Sequence, residues 1–399
     1  MIKKIVALSL LAFSAHADMT SFYRDALKHL EYETSYNLYA TANKTSQNAV
    51  TYSKYANFSL DGTYSKTYTQ HLPTSSGSFN TTEISLHDTL DLFGKNNYKI
   101  QMLHLDMISQ KSKLASKKEQ LFISLVNMVS LYNKTQMQLK IHQEFYEKQQ
   151  KIYKKLKDLA QNGDITALDI LRFKNTLTTL QTKIVAQTQG LAKMKAKLHL
   201  YAPKQTIPKL TQTQLLYTKK DFLAHNPQAT INSLDAQKLL AQSQGVEKQY
   251  MPTVTLGVNY QKLDDPTSYG DNHSFDIAVQ IPLNGANFKD AQALKVKAMN
   301  KQTQGIAYKI QRENQYITEY QAYINAKNQL AILENSLKDF KKSEKTIEQA
   351  YLKQYVNFST YLQVLKQTLD VKNQIITMQT TQHLEATIIN AIASGKIYE

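Results

Sequence analysis

The sequence predicts a chain of mixed α-helix and transmembrane β-strand, built as two copies of one structural unit. Three observations carry this. A pair of period-two segments is followed by a very long helical stretch, a break and a shorter helix, and this order occurs twice in 399 residues. The long stretches carry apolar residues at heptad spacing, which marks packed helices. The period-two segments are about as long as a tilted strand needs to cross a bilayer. An internal repeat outranks any local motif as a sign of fold.

The N-terminus reads as a secretory signal peptide over residues 1–17. Lys3 and Lys4 supply charge, Ile5 to Phe13 is apolar, and Ala15-His16-Ala17 is a small-residue cleavage site. The apolar run is too short to span a membrane as a helix. The chain has no cysteine, which excludes disulfides and thiolate metal sites. Its formal net charge of +16 raises nucleic-acid binding as a reading. Export and the lack of a compact basic motif argue against that; lysines solvating long helix faces account for the charge.

The first repeat covers residues 18–200. A helix is expected over 19–50, with Phe22, Leu27, Leu30, Tyr36 and Leu38 as its apolar positions. Two strands follow within 57–92. Phe58, Leu60, Tyr64 and Tyr68 alternate with Ser59, Asp61, Thr63 and Ser65, so one face is apolar and the other polar. Residues 69–78, with Pro73 and Gly77, read as a loop. In the returning strand Phe79 is out of phase with Ile84, Leu86 and Leu90, which suggests a bulge. Residues 95–160 hold no proline or glycine. One heptad seam runs Leu125, Tyr132, Leu139, Tyr146, Tyr153; a second runs Leu114, Leu121, Met128 and, after polar interruptions, Leu156. Such a helix is roughly 100 Å long. It ends at a hairpin tip near Gly163, which suits a left-handed turn, and a helix returns to about Leu200.

A connector with Pro203 and Pro208 spans 201–222, and the second repeat covers 223–399. Its helix runs from about His225 to Tyr250, its strands lie within 253–283 around a loop at 264–273, and a long helix runs from about 286 to 355. The second tip is near Asn357, where asparagine is the next-best residue for a left-handed turn. A helix from 358 to about 393 and a loose tail complete the chain. Val254, Leu256 and Val258, with Phe275, Ile277 and Val279, form the apolar face of the second strand pair. With Phe58, Leu60 and Tyr64 they are the expected lipid-facing residues. Four strands are too few to close a barrel. Open edges cannot face lipid, so strands that cross a membrane must be completed by other subunits.

No catalytic pattern is present: there is no phosphate-binding glycine loop, H-E-x-x-H or G-x-S-x-G. The ten histidines lack metal-ligand spacing, His142 included. The expectation is a protein that is not an enzyme and uses no cofactor.

Several local sequences then resemble one family. Tyr250-Met251-Pro252-Thr253-Val254 resembles the Leu-Pro start of a strand in TolC-like outer membrane efflux proteins. His225-Asn226-Pro227 resembles their Asn-Pro helix start, and Leu283-Asn284-Gly285 their turn from strand to helix. Gly163–Leu171 and Asn357–Leu365 resemble their two hairpin tips. The resemblance covers nearly the whole mature length. It implies a homotrimer whose protomers give four strands each to a 12-stranded β-barrel in the outer membrane, continued by a long periplasmic α-helical barrel. It implies the exit duct of a tripartite efflux or type I secretion system, passively conducting substrates from a periplasmic adaptor (a membrane fusion protein) and an inner-membrane pump of RND or ABC type. It also implies adaptor docking at the tips, through Gly163, Leu168, Leu171, Asn357, Leu362 and Leu365, and a periplasmic gate at Asp169, Arg172, Gln363 and Lys366. The sequence departs from the family at the gate: Gln363 and Lys366 stand where well-known members carry two aspartates, and Ser359 where they carry an arginine. The alternative is an exported coiled-coil structural or interaction protein without a pore, for which four period-two apolar faces have no use.

Overall fold

The computed structural model describes residues 18–54, 57–71, 75–161, 165–265, 268–283 and 285–399. The expected signal peptide at 1–17, the tip residue Gly163 and Asn284 of the second turn lie outside them.

The elements are, in order, α1 (Met19–His29), α2 (Tyr32–Tyr52), β1 (Phe58–His71), β2 (Ser75–Leu90), α3 (Asn97–Gln161), α4 (Ala167–His199), α5 (Lys219–Ala224), α6 (Pro227–Lys248), β3 (Thr253–Asp265), β4 (Ser268–Gln280), α7 (Ala286–Leu352) and α8 (Phe358–Ser394), with a closing 3-10 turn at Lys396–Tyr398. The twofold order of strand pair, long helix and return helix is therefore present. α3 has 65 residues and α7 has 67.

Several boundaries differ from the sequence reading. The first helix is broken: the Leu30 N–H closes onto Ala26 O, and Glu31 then takes a left-handed φ of 52°. The loops expected at 69–78 and 264–273 are largely strand. A backbone ladder, once set by apolar rows, propagates into polar residues because it needs only N–H and C=O groups. The bulge expected near Phe79 is absent, since the β1–β2 register is unbroken from Phe58↔Asp88 to His71↔Ser75, with Phe79 opposite Thr67. The connector contains α5, nucleated by a capping box in which Thr218 Oγ1 accepts from the Asp221 N–H and the Asp221 carboxylate accepts from the Thr218 N–H.

The chain divides into two compact units. One comprises residues up to Tyr32, Lys117–His225 and Gln311–Glu399; the other Glu33–Ser116 and Asn226–Ile310. The first holds the larger core, where Phe22 and Ala26 of α1 meet Leu125, Val126 and Val129 of α3, Phe222 of α5, and Ile389 and Ile392 of α8. The tail, expected to be loose, is tied down there. Gly395 (φ 73°) caps α8 in the left-handed conformation against the His225 ring. The Tyr23 hydroxyl donates to Ile397 O at 2.8 Å, and Lys118 Nζ donates to Glu399 O at 2.8 Å. The Tyr398 hydroxyl donates to Glu119 Oε2 at 2.6 Å, beside a two-pronged Arg312–Glu119 pair at 2.5 and 2.6 Å.

The second unit contains the sheet. Its helices pack through Met102 and Leu105 of α3 against Leu234 and Ala241 of α6. Lys238 Nζ reaches Asp106 Oδ1 at 2.6 Å. Gly245 lets α6 lie close to α3, because a Cβ there would fall 2.2 Å from the Tyr98 ring.

Candidate functional sites: an apolar sheet face and two hairpin tips

The sheet is antiparallel in the order β1-β2-β3-β4, so β1 and β4 are its two edges. Its register sorts the side chains. Leu60, Leu86, Val258 and Phe275 form one cross-strand row; Phe58, Leu256 and Ile277 share the next with Asp88; Leu90, Val254 and Val279 form a third. In the other direction comes Gly62, Ile84, Tyr260 and His273, then Tyr64 with Thr82. The nine residues expected to face lipid thus lie on one face. Those on the edges are open to solvent: Phe58 62%, Leu60 72%, Tyr64 67%, Phe275 64%, Ile277 63% and Val279 60% exposed. Val258 is exposed as well, while Val254 and Leu256 are half-buried. With exposed Leu92 and Ile281 the apolar rows continue toward the helices. At about 6.6 Å per two residues the band is some 20–26 Å tall, the height of a transmembrane barrel's outer face.

The opposite face is polar. Asp61, Ser85, Asn259 and Ser274 form one row, and Ser59, His87, Gly257 and Asp276 another. Asn259 Nδ2 donates to Asp276. The His87 ring occupies the space above Gly257, where a Cβ would lie 2.7 Å from Nδ1. Aromatic rings mark the ends of the apolar face: Phe93 and Phe288 are exposed at the helix end, and Tyr64 and Tyr68 toward the hairpin. The Tyr250 ring packs tilted on Phe288 at 4.8 Å, and its hydroxyl oxygen accepts the Phe288 backbone N–H at 3.0 Å.

The tips are built differently from each other. In the first, Thr166 caps α4: its Oγ1 accepts the Asp169 N–H at 3.2 Å and its hydroxyl donates to Asp169 Oδ2 at 2.9 Å. In the second, Asn357 caps α8, with Oδ1 accepting from the Thr360 N–H and hydroxyl, each at 2.9 Å. The left-handed turn expected at Asn357 is therefore wrong. Asn357 is extended (φ −78°, ψ 162°), and the left-handed residue is Gln354 (φ 63°). Capping uses the same short polar side chain that favours left-handed turns, which is why sequence alone confuses the two. Gly163 lies outside the described residues.

Between the tips sits an aromatic core. Phe173 of α4 packs on Phe358 at 5.6 Å, and Tyr351 of α7 stacks on Tyr361 of α8 at 4.7 Å. Leu365 is 2% exposed within this core, and Leu362 packs half-buried against it. The expectation that Leu365 is presented to a partner is corrected: it faces Tyr361 and its neighbours one helical turn away. Leu168 and Leu171 are 54% and 53% exposed on α4. The four expected gate residues separate. Asp169 and Arg172 line a cavity of about 330 Å³ with Thr166, Tyr351, Asn357 and Ser359. Gln363 and Lys366 do not line it and are solvent-exposed on α8.

No helix among the described residues is long and apolar enough to cross a membrane. No family model matches the sequence, and no curated protein matches it. Solved structures do. The outer membrane protein VceC from Vibrio cholerae superposes with a TM-score of 0.72 at 13% identity, covering 94% of this chain and 96% of that one. The outer-membrane channel OprN gives 0.75 at 12%, covering 94% and 89%. CusC, described through its transmembrane channel formation, gives 0.71 at 15%, covering 94% and 91%. This chain has the TolC-like outer membrane channel fold. Near-complete coverage in both directions means that the likeness takes in most of both repeats rather than one element of the chain. The TolC-like fold also accounts for a sheet whose apolar face is, among the described residues, largely exposed.

Proposed function

We propose that the protein is an outer membrane exit duct. Three copies close a 12-stranded barrel, and their helices form a periplasmic tunnel through which substrates delivered by an adaptor and an inner-membrane pump pass outward without further energy input. The observation that carries this reading is the sheet: a two-faced, four-stranded sheet with both edges open, its apolar face exposed over a membrane's thickness. Lipid cannot satisfy open edges, so the sheet is completed by copies of itself. A second feature agrees. α7 exposes Val296, Met299, Ile306, Ile310 and Ile317, which fall three, four or seven residues apart and suit helix-to-helix packing between protomers.

The test is mass and conductance. The detergent-extracted protein should be a trimer that conducts in planar bilayers; a folded, membrane-inserted monomer defeats the reading.

At the tips, Leu168 and Leu171 are proposed to meet the adaptor, with Gly163 and the helix cap Asn357 as part of the same docking surface and Leu362 and Leu365 supporting it from beneath. Lys366 and Gln363, exposed on α8, are proposed to face the tunnel mouth, while Asp169 and Arg172 line the inter-hairpin cavity behind. Three lysines around a narrow opening repel cations. Lys366→Asp should therefore raise cation selectivity measured as reversal potential in a salt gradient. An unchanged potential places Lys366 away from the mouth.

A further inference from the structure

His142 is on α3, in the heptad register of Leu121, Met128 and Leu156, and is 1% exposed. Its Nδ1 lies 2.7 Å from Gln187 Oε1 of α4, and its Nε2 lies 3.3 Å from Asn373 Nδ2 of α8. Gln187 Oε1 is an acceptor and Asn373 Nδ2 a donor, so the pattern is satisfied by one species: neutral imidazole with its proton on Nδ1. The ring is thus a polar tie between both helices of the first hairpin and the return helix of the second. Burial holds its pKa below the usual histidine value, and the charge of Lys183 on α4 pushes the same way. The groups bonded to the ring from α4 and α8 are neutral amides. A second proton, on Nε2, would point at the Asn373 NH₂ group. The Asn373 carbonyl, which is buried and has no hydrogen-bond partner, faces the imidazolium only after the amide turns over.

We propose that His142 is an acid-sensitive tie between the two hairpins: neutral, it holds α8 to α3 and α4; protonated, it releases α8. The consequence for conduction rests on the channel reading above, with the added step that release of α8 widens the tunnel, and makes mildly acidic surroundings favour opening. The tie itself does not rest on that reading.

The experiment is hydrogen exchange on the full-length protein in detergent at pH 7.5 and 5.5. Exchange in the α8 stretch 366–380 is normalised to α6 peptides, which carry the intrinsic pH effect without the tie. Wild type should show relative exchange faster at pH 5.5 by up to ~10-fold, the most that one histidine released to an ordinary pKa can give. His142→Gln, neutral at both values, should show a ratio that does not change with pH. Asn373→Asp places a carboxylate beside the ring, favours the imidazolium, and should keep α8 protected at pH 5.5; it serves where His142→Gln fails to fold. No acceleration in wild type, acceleration that survives in His142→Gln, or acceleration that survives in Asn373→Asp overturns the proposal. Planar-bilayer conductance at the same two pH values reads the consequence separately, so a tie that responds in a protein that does not conduct identifies failure of the channel reading alone.

Discussion

Single side chains at the tips divide by burial. Leu365 fills an aromatic core at 2% exposure, so Leu365→Ala should cost about 2–4 kcal/mol by lost burial and the cavity left behind. Leu168 is more than half exposed, so Leu168→Ser should change stability by less than about 0.5 kcal/mol. Denaturant unfolding of the two variants side by side checks this; equal losses would mean that Leu168 is packed in the native protein. Export measured in the same pair then separates docking from folding, since only Leu168→Ser should lose export at unchanged trimer level. The caps are a smaller test. Asn357→Ala should cost about 1 kcal/mol, and Asn357→Gly only a few tenths. Asn357→Thr, which caps a helix but avoids positive φ, should cost less than Asn357→Ala; an asparagine needed for a left-handed turn would make threonine the worse of the two.

Among the elements, the four strands were the most legible. Alternation placed Phe58, Leu60, Tyr64, Val254 and Phe275 on one face because a strand's period of two admits no other arrangement. Their ends were not legible, since ladder hydrogen bonds ignore the side chains that sequence reading relies on. The long helix shows the opposite fault. Its second seam seemed interrupted between Met128 and Leu156, yet His142 and Gln149 hold the same heptad position and are 1% and 2% exposed. The period was right, and polarity misled, because a buried histidine looks solvated until its partners on α4 and α8 are known. Leu365 was misplaced for a related reason: matching a motif set it at the tip but did not say which side of α8 the other hairpin covers.

The α7–α8 packing carries its own pH dependence. Burial raises the Glu319 carboxyl to about 7, and burial does the same to Glu385, also to about 7. Gln315 donates to Glu319 Oε1 at 2.8 Å, while its Oε2 has no partner. An unfolded glutamate titrates near 4.5. The folded chain therefore prefers the protonated acid. The stability this gives is complete below about pH 4.5 and is lost as pH rises through 7. Glu319→Gln, which mimics the protonated form, should be more stable than wild type at pH 8 by on the order of 2 kcal/mol, with the gap closing by pH 5. A gap independent of pH would assign the gain to packing instead. This carboxylate pair and His142 act in opposite directions on acidification, so single variants are needed to read either one.

For the whole molecule, the absent closure of its sheet sets what can be isolated. Among the described residues the outer edges of β1 and β4 have no strand partner within the chain, so assembly and membrane insertion should be inseparable. Charged substitution on the apolar face should expose this: Val279→Lys, on the edge strand, should remove trimer from the membrane fraction and leave no inserted intermediate. A stable inserted monomer of that variant would mean that the sheet closes on itself.

The tied tail has a consequence in time. The hydroxyl of Tyr23 bonds to a carbonyl 374 positions later, so α1 is seated in part by the turn that follows α8. Closing so wide a loop costs roughly 5 kcal/mol of chain entropy if nothing forms between, and less once the intervening hairpins have zipped. Either way, α1 gains this tie only once the segment after α8 has docked. Removing residues 396–399 should leave helix content nearly unchanged while α1 becomes protease-sensitive, and a C-terminal affinity tag should impair yield where the same tag placed in a hairpin loop does not.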